Sequence, residues 1–564
     1  MIPATAFVLL ASQLAALVRP AEAKDEDKWE SPVYTDIFKN PLPIPPVAVP
    51  LTTYTNTTTN TAIDYYELEI KPFTAQTYPA SQGFKATTYV GYNGIAPGPT
   101  FHINQGRETV VRFINKSNSS SAIHLHGSYS RPMWDGWAND LVPPNYYKDY
   151  YYPNRQSART LWYHDHAFEI TAVNAYFGQA GFYILQNPAE SKLGLPQGQY
   201  DVPLMINSRF HKSNGQLVSP AGETTALYGD VISVNGQPWP HMIVEPRKYR
   251  FRLLNSAVSR TFKTYLVASG VSARQTMTVI ASDAGLVSTA TDTLNVVIGI
   301  AERWDIVIDF SKYTGKNVTL MNERDFFTNE DYAATDRIIQ FRVGKTVTST
   351  SNNNLPKALT TLDLPPSWAS VDRSFVFERK NGEWRINGVG FADVKNRVLA
   401  HPRRGDTEQW ELINKSGGWT HPIHVHLVDF QIISRTGGRG AVEPYERVAL
   451  KDVVYLGTNE RVKVRARYEP WDGQYMFHCH NLIHEDHDML AAFNTTDLVK
   501  DFDYPDANHL NDPMDPRFQA KPGVGPFNAN TVKTTDLPAL SATGAYANIP
   551  QTIAALRKYW ATHS

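Results

Sequence analysis

The sequence predicts an all-β protein built from three similar β-sandwich domains. Helical periodicity is scarce, and short runs rich in β-branched and aromatic residues alternate with Gly, Pro and Asn. Three stretches of strand-like alternation end in Asn and stand about 140 and about 160 residues apart along the chain. Such a spacing is typical of a two-sheet domain that occurs three times. The three stretches are residues 107–115, 247–255 and 406–414.

Three domains are expected in order along the chain, at residues 41–188, 189–354 and 355–499. The first and third contain every histidine cluster described below. The second has only His211 and His241, neither in a ligand-like motif, and is expected to bind no metal and to act as a spacer. A tail at residues 500–564, rich in Pro, Asn and Ala, is expected to wrap the body loosely.

Composition bounds the class of protein. The chain has 564 residues, of which 42% are hydrophobic, which is ample for several buried cores. Only 19% are charged and the formal net charge is -1. We therefore expect neither nucleic acid nor an anionic membrane surface as a partner.

The N-terminus predicts secretion. Residues 4–18 are mostly apolar, and Ala21-Glu22-Ala23 is typical of a cleavage site, so residues 1–23 are expected to be a signal peptide. Residues 24–40 would then be a short pro-segment or the mature start. With a single cysteine, no intrachain disulfide can form. Glycosylation sequons occur at Asn56, Asn115, Asn118, Asn317, Asn414 and Asn494, and we expect only some of them to be used.

The single cysteine lies between two histidines, in His478-Cys479-His480. Side chains alternate faces on a strand, so the two imidazoles would point one way and the thiolate the other. One short strand could then serve two metal centres. His484 and Met489 follow at loop spacing, and with a further histidine they would complete a Cys/His/His set with a weak thioether, which is the blue-copper set.

Four clusters together contain ten histidines at ligand spacing. A lone His-x-His is usually a surface or core feature, and a single cluster could bind zinc. A lone buried cysteine is usually an inert small hydrophobe. Four such clusters in one chain argue against all of these alternatives together. The eight paired imidazoles can hold three copper ions and leave positions open for oxygen. The pairs are His124 and His126, His164 and His166, His424 and His426, and His478 and His480, which leaves His421 for the Cys479 site.

These clusters resemble, in order, the four copper motifs of the multicopper oxidases, and the stretches 148–161, 419–424 and 481–489 resemble the fungal bilirubin oxidases within that family. The resemblance runs from about residue 41 to about residue 516. It implies three cupredoxin-like Greek-key domains and four copper ions. It implies type 1 ligands His421, Cys479, His484 and Met489, type 2 ligands His124 and His424, and type 3 ligands His126, His164, His166, His426, His478 and His480.

Three further residues are given roles by the same resemblance. Asp135 and Glu485 match acids that deliver protons to the cluster, because forming water consumes protons. Each could instead simply orient a ligand imidazole. Trp419, two residues before His421, matches a tryptophan at the edge where the donor is oxidised, although the usual fate of a tryptophan is the core.

The expected function is a secreted, monomeric oxidase that takes electrons from a small-molecule donor and passes them to O2. Bilirubin, oxidised to biliverdin, and phenols are the donors that the resemblance implies. A laccase-type phenol oxidase is the nearest alternative, because donor loops are variable surface features. A ferroxidase is the third alternative, because it would need acids around the type 1 site and the sequence alone places none there. A non-catalytic copper protein would not need the eight paired histidines.

Overall fold

The computed structural model describes residues 28–327, 331–498, 510–523 and 525–563. Six sheets form three pairs, which lie at residues 52–186, 201–343 and 373–495, apart from one short edge strand. The all-β prediction is confirmed. The predicted signal peptide lies outside the described residues.

The first pair of sheets contains nine strands. One sheet has the order β1-β2-β5-β7, with β3 also on β2, and the other has the order β4-β9-β8-β6. The strands are β1 (Thr52–Thr55), β2 (Ala62–Ala75), β3 (Thr87–Tyr92), β4 (Gly98–Asn104), β5 (Glu108–Asn115), β6 (Ile123–His126), β7 (Tyr146–Tyr152), β8 (Arg159–Asp165) and β9 (Ala180–Gln186).

The second pair contains thirteen strands. Its sheets have the orders β12-β11-β10-β14-β20-β17-β18 and β13-β22-β21-β15-β16, with β19 also on β15. The strands are β10 (Asp201–Arg209), β11 (Val231–Val234), β12 (Gln237–Pro238), β13 (His241–Val244), β14 (Lys248–Asn255), β15 (Phe262–Ala268), β16 (Arg274–Gln275), β17 (Met277–Ser282), β18 (Gly285–Thr293), β19 (Val296–Ile298), β20 (Arg303–Asp309), β21 (Asn317–Asn322) and β22 (Arg337–Val343).

The third pair contains ten strands, in the orders β24-β23-β26-β30-β28 and β25-β32-β31-β27-β29. They are β23 (Arg373–Lys380), β24 (Glu383–Ile386), β25 (Val398–Ala400), β26 (Thr407–Asn414), β27 (His421–Val425), β28 (Phe430–Thr436), β29 (Val453–Leu456), β30 (Arg461–Arg467), β31 (Gly473–Cys479) and β32 (Leu490–Thr495). A last strand, β33 (Lys521–Pro522), pairs with β7 of the first sandwich.

Helices are short and lie outside the sheets. They are α1 (Thr171–Phe177), α2 (Pro444–Arg447), α3 (Leu482–Asp486), α4 (Ala529–Thr531), α5 (Leu537–Ala542) and α6 (Ile549–His563), with a π-helical segment at Val532–Asp536 and 3-10 turns at Ala80–Gln82, Pro132–Trp134, Pro188–Leu193, Gly198–Tyr200 and Phe310–Tyr313. None of the helices in the described ranges is long and apolar enough to cross a bilayer.

The three repeated stretches become the same strand of each sandwich. β5, β14 and β26 each pair in parallel with an earlier strand, which is β2, β10 and β23 respectively. Each also pairs antiparallel with a later strand, which is β7, β20 and β30. The repeat in the sequence therefore marks a repeat in the topology.

The Asn that ends each repeated strand is buried and closes the turn that follows. Asn115, Asn255 and Asn414 each donate through Nδ2 to two backbone carbonyls, at 2.7 to 2.9 Å. Each also accepts from the backbone N–H two residues further on. Because the side chain satisfies both ends of the turn, the alternation ends in Asn each time.

Both terminal segments pack against the sandwiches. The prediction of a loose tail was wrong for residues 525–563, because Leu537 and Leu556 are fully buried and Trp560 Nε1 donates to the Arg404 carbonyl. At the other end, Tyr34 is buried against Trp239 of the second sandwich.

Candidate metal centre

Four strands bring the paired histidines together from the first and third sandwiches. β6 pairs with β8, with His124 opposite His164, and β27 pairs with β31, with His424 opposite His478. His166 and His480 follow the ends of β8 and β31, and His426 follows β27. All eight imidazoles are at most 1% exposed. The two halves of the cluster lie about 300 residues apart in sequence, as in the pair His124 and His424.

Seven of the eight rings approach one another through their nitrogens, and His480 is the exception. His124 Nε2 lies 3.3 Å from His424 Nε2, across the boundary between the sandwiches. His166 Nε2 and His426 Nε2 lie 3.1 and 3.3 Å from His478 Nε2. His126 Nδ1 lies 3.4 Å from His164 Nε2. Such nitrogens converge on points that a metal ion would occupy.

The outer nitrogens of several rings are held by backbone carbonyls. Nδ1 of His164 donates to the Asp165 carbonyl at 2.7 Å, and Nδ1 of His424 to the Asp452 carbonyl at 2.8 Å. Nδ1 of His124 donates likewise to the Asp135 carbonyl. These bonds leave Nε2 of each ring facing the centre, as is usual for imidazoles that bind metals.

The residues fit a metal by their chemistry as well as by their position. His480 is fully buried, and neither of its ring nitrogens has a hydrogen-bond partner among the described residues. An unpaired buried nitrogen is costly unless a metal satisfies it. Burial also favours the neutral imidazole that metals require, and it lowers the pKa of nine histidines: His124, His126, His164, His166, His421, His424, His426, His480 and His484.

A second centre lies on the other face of β31. Cys479 Sγ is 3.3 Å from His421 Nδ1 and 3.6 Å from His484 Nδ1, and these two nitrogens are 3.2 Å apart. Ser416 Oγ and Asn481 Nδ2 lie at the outer nitrogens, 2.8 and 3.2 Å away. Burial raises the pKa of the Cys479 thiol well above its usual value, so a bound metal would be needed to favour the thiolate.

Met489 lies beside this second centre. It is fully buried, its N–H donates to the His484 carbonyl at 2.9 Å, and its carbonyl accepts from the N–H of Cys479 at 3.0 Å. These two backbone hydrogen bonds therefore hold Met489 next to His484 and Cys479, the residues with which it is predicted to bind copper. The set of Cys, two His and Met suits copper, because zinc gains nothing from such a ligand set.

Trp384 is the aromatic residue that sequence reasoning missed. It is fully buried, and its ring stacks on His484 with the centroids 3.6 Å apart at 25°. Trp419 is half-buried and meets His484 and Trp384 edge-on, with centroids 5.9 and 5.8 Å apart. We expected Trp419 beside His421, and its ring lies beside the other imidazole of this centre. No local pattern singles out Trp384, because it lies on β24, outside every motif.

The two predicted acids touch the eight-histidine cluster. Asp135 Oδ2 is 2.7 Å from His426 Nδ1, and Glu485 Oε2 is 2.9 Å from His478 Nδ1. Burial raises the pKa of Asp135 well above its usual value. Burial also raises that of Glu485, but the imidazoles of His478 and His166 outweigh it and the net pKa is lowered.

A third acid, Asp452, was not predicted. Its Oδ1 lies 3.1 Å from His126 Nε2, and Arg303 pairs with its carboxylate. In contrast, His487, which the sequence left out of the ligand set, is hydrogen-bonded through Nδ1 to the Ile483 carbonyl at 2.8 Å. His211 similarly lies 3.2 Å from the Gly215 carbonyl, away from both centres.

The fold and the donor chemistry of the two centres are typical of a copper-binding redox protein built from β-sandwiches. Two family models for multicopper oxidases match this chain, one over residues 74–190 and the other over residues 363–498. A curated bilirubin oxidase from Albifimbria verrucaria is 51% identical over 511 residues, which span 89% of this chain and 88% of that protein. A laccase from Bacillus subtilis is 30% identical, over 82% of this chain and 99% of that one.

A solved structure agrees with this likeness. A laccase from Pediococcus acidilactici has a TM-score of 0.71 at 26% identity, covering 83% of this chain and 95% of that chain. The chain therefore belongs to the multicopper oxidases and is bilirubin oxidase-like. It is a copper-dependent oxidoreductase that uses O2 as electron acceptor.

Proposed function

We propose that this protein oxidises bilirubin to biliverdin, and phenols more slowly, and reduces O2 to water. The donor would be oxidised at a type 1 copper bound by His421, Cys479, His484 and Met489. O2 would be reduced at a cluster of three copper ions. When bound, the copper ions supply the one-electron steps and the site for O2. The observation that carries the proposal is the end of β31, where Cys479 groups with His421 and His484 while its neighbour His478 groups with His166 and His426.

The contacts support a division of the eight histidines. His124 and His424 face each other and would hold the type 2 ion. The remaining six fall into two sets of three that would hold the type 3 pair. One set is His166, His426 and His478, and the other is His126, His164 and His480, whose ring centroids lie 5.1 to 5.6 Å apart.

The protein's own groups would move electrons and protons between these sets. Cys479 is joined through the backbone to His478 and His480, so an electron path between the two centres needs only a few bonds. Asp135, whose burial favours its protonated form, would hold a proton beside His426. Glu485 would accept and return a proton beside His478.

The organic electron donor would contact the aromatic side chain of Trp419. Trp419 is half-buried, whereas Trp384 and His484 behind it are fully buried. An electron leaving a flat π-donor on Trp419 would therefore reach His484 directly by edge contact. Stacking on Trp384 would also keep water from that imidazole.

Secretion as a soluble monomer is part of the proposal. If the chain is glycosylated, Asn118 and Asn317 are the exposed acceptors, and Asn494 is half-buried. Asn56, Asn115 and Asn414 are buried and hydrogen-bonded and would stay unmodified. We expect no nucleic acid or membrane partner.

The test is turnover of the copper-loaded protein on bilirubin and on a simple phenol, with O2 uptake recorded near neutral pH. A preference for bilirubin with O2 reduced fully to water is the expected result. Metal-stripped protein is the control and should consume no O2. Absence of O2 uptake with either donor would contradict the proposal.

A laccase-type phenol oxidase is the second candidate, favoured by the likeness to the laccases of Bacillus subtilis and Pediococcus acidilactici. A preference for the phenol in the same assay would move the function to that class. It would leave the copper ligands unchanged.

A further inference from the structure

The second sandwich supplies none of the predicted copper ligands, but one of its side chains, Arg303, contacts Asp452 at the edge of the histidine cluster. Arg303 begins β20 and its side chain is fully buried. Its Nη1 donates to Asp452 Oδ1 at 2.6 Å, and its Nη2 donates to Asp452 Oδ2, so the pair is bidentate. Its Nε donates to the Thr160 carbonyl at 2.9 Å. Arg303 thus touches the first and third sandwiches as well as its own.

Asp452 passes this contact on to two imidazoles. Its Oδ1 lies 3.1 Å from His126 Nε2, while the other nitrogen of that ring, Nδ1, faces His164 Nε2 at 3.4 Å. Its carbonyl accepts from His424 Nδ1 at 2.8 Å. Because both carboxylate oxygens are engaged by Arg303, Asp452 is suited to orient His126 rather than to bind a metal itself.

The chain leaves room for this pair at Gly127, directly after His126. Gly127 has φ +87°, which a residue with a side chain rarely adopts. A Cβ there would lie 2.7 Å from Asp452 Oδ2 and 2.8 Å from Arg303 Nη2. A Cβ at Gly127 would also lie 2.8 Å from Leu161 Cδ2, so a side chain here would clash with the ion pair and with Leu161.

The pair is itself held by a buried network of charges. Asp283 accepts from the N–H of Arg303 at 2.7 Å and from the N–H of Asp452 at 3.2 Å. Lys451 Nζ lies 2.9 Å from Asp283 and 3.1 Å from Glu302. Buried ion pairs are a poor source of stability, because desolvation offsets their attraction. The network instead fixes the positions of these side chains, because each carboxylate contacts two or more groups.

We propose that Arg303 and Asp452 are positioning residues of the trinuclear site, and that through them the second domain fixes the ring of His126. Asp452 accepts from Nε2–H, so Nδ1 is the nitrogen presented to the metal, in contrast to the Nε2 atoms presented by His124 and His424. The inference rests on the proposed copper cluster. Loss of such an orienting partner typically weakens metal binding by about 10- to 100-fold.

The test measures metal as well as turnover. We would compare Arg303→Lys, Arg303→Met and Asp452→Asn with the parent protein, by copper content per chain and by the rate of copper loss to a chelator. Lys keeps the charge but cannot make the bidentate contact. Asn keeps the shape of Asp452 but not its charge. The blue absorption of the Cys479 centre reports on folding in each variant.

The matched control is Arg250→Lys, also in the second domain. Arg250 pairs with Asp305, whose carboxylate accepts from Arg250, Arg252 and Thr160 rather than reaching a histidine. We expect this control to keep its copper and its chelator resistance.

The Arg303 and Asp452 variants should keep the blue absorption but lose copper to the chelator about 10- to 100-fold faster, with fewer copper ions per chain after dialysis. Copper content and loss rates equal to those of the parent in Arg303→Met and Asp452→Asn would overturn the inference. Equal losses in the Arg250→Lys control would overturn it too. A parent protein that binds fewer than four copper ions would instead contradict the proposed cluster, so the two failures are distinguishable.

Discussion

At the residue scale, Cys479 is the side chain on which the proposed electron path depends most. Its burial raises the thiol pKa, and two imidazole nitrogens lie 3.3 and 3.6 Å from its sulfur. A buried, neutral thiol is a weak hydrogen-bond partner for the two imidazoles. A bound metal would favour the thiolate and would explain why the three groups converge. In the proposed function Cys479 would be both a ligand and a covalent link, a combination that single-site blue-copper proteins do not need.

Replacing Cys479 with Ser should abolish the blue absorption, because a hydroxyl is a poor substitute for a soft thiolate ligand. Donor oxidation should fall to background. Copper in the eight-histidine cluster should remain, since none of its ligands is changed. Absorption spectra and copper analysis would check this, and a variant that stayed blue would contradict the type 1 assignment.

At the scale of elements, α2 joins the third sandwich to the second. Glu446 on this helix is buried and pairs with Arg435 at 2.7 Å and with Arg439 at 3.1 Å. The preceding residue, Tyr445, accepts a hydrogen bond from the Val297 N–H through its hydroxyl and packs edge-on against Trp304 of the second sandwich. A short helix held by one carboxylate in this way should respond to pH.

Burial raises the pKa of Glu446, but the guanidiniums of Arg439 and Arg435 outweigh it and lower the pKa to about 2. A depressed carboxyl pKa stabilises the fold above the unfolded value of about 4.5, and that contribution is lost as the pH falls from there toward about 2. Its full size is about 3 kcal/mol.

Glu446→Gln should therefore lower the thermal midpoint at pH 7, and the deficit relative to the parent should shrink as the pH falls below about 4.5. Gln can still accept from the Glu443 N–H, so the helix start is kept. Thermal unfolding of both proteins between pH 7 and pH 3 measures this. A deficit that is the same at every pH would show that the charge of Glu446 does not matter.

At the scale of the whole molecule, two devices join the first and third sandwiches. His124 on β6 faces His424 on β27, and His166, directly after β8, faces His478 on β31. The C-terminal segment pairs with β7 through β33 and then reaches Arg404 and Glu469 through α6. The first and third sandwiches also share one hydrophobic core, whereas the core of the second is largely its own.

Removing the copper with a chelator should lower the thermal midpoint, because a ligand that binds only the folded state stabilises it by about 2.7 kcal/mol at a hundredfold excess over its Kd. Amide exchange should rise in β6, β8, β27 and β31 more than in β21 and β22 of the second sandwich. Reloading with copper should reverse both changes. Unchanged exchange in β6 and β27 would contradict a clamp between these domains.

The sequence by itself predicted the repeated strand, the all-β fold and the four histidine clusters from which copper ligands are proposed. Period-two alternation and His-x-His spacing are local properties of the chain, so they can be read directly from Ile123–His126 or from His478-Cys479-His480. Only the tertiary structure decided which imidazoles face one another, that Arg303 reaches His126 through Asp452, that Trp384 stacks on His484, and that the tail folds into helices. Those contacts join residues far apart in the chain, and packing between sheets makes them without leaving any periodic signal in the sequence.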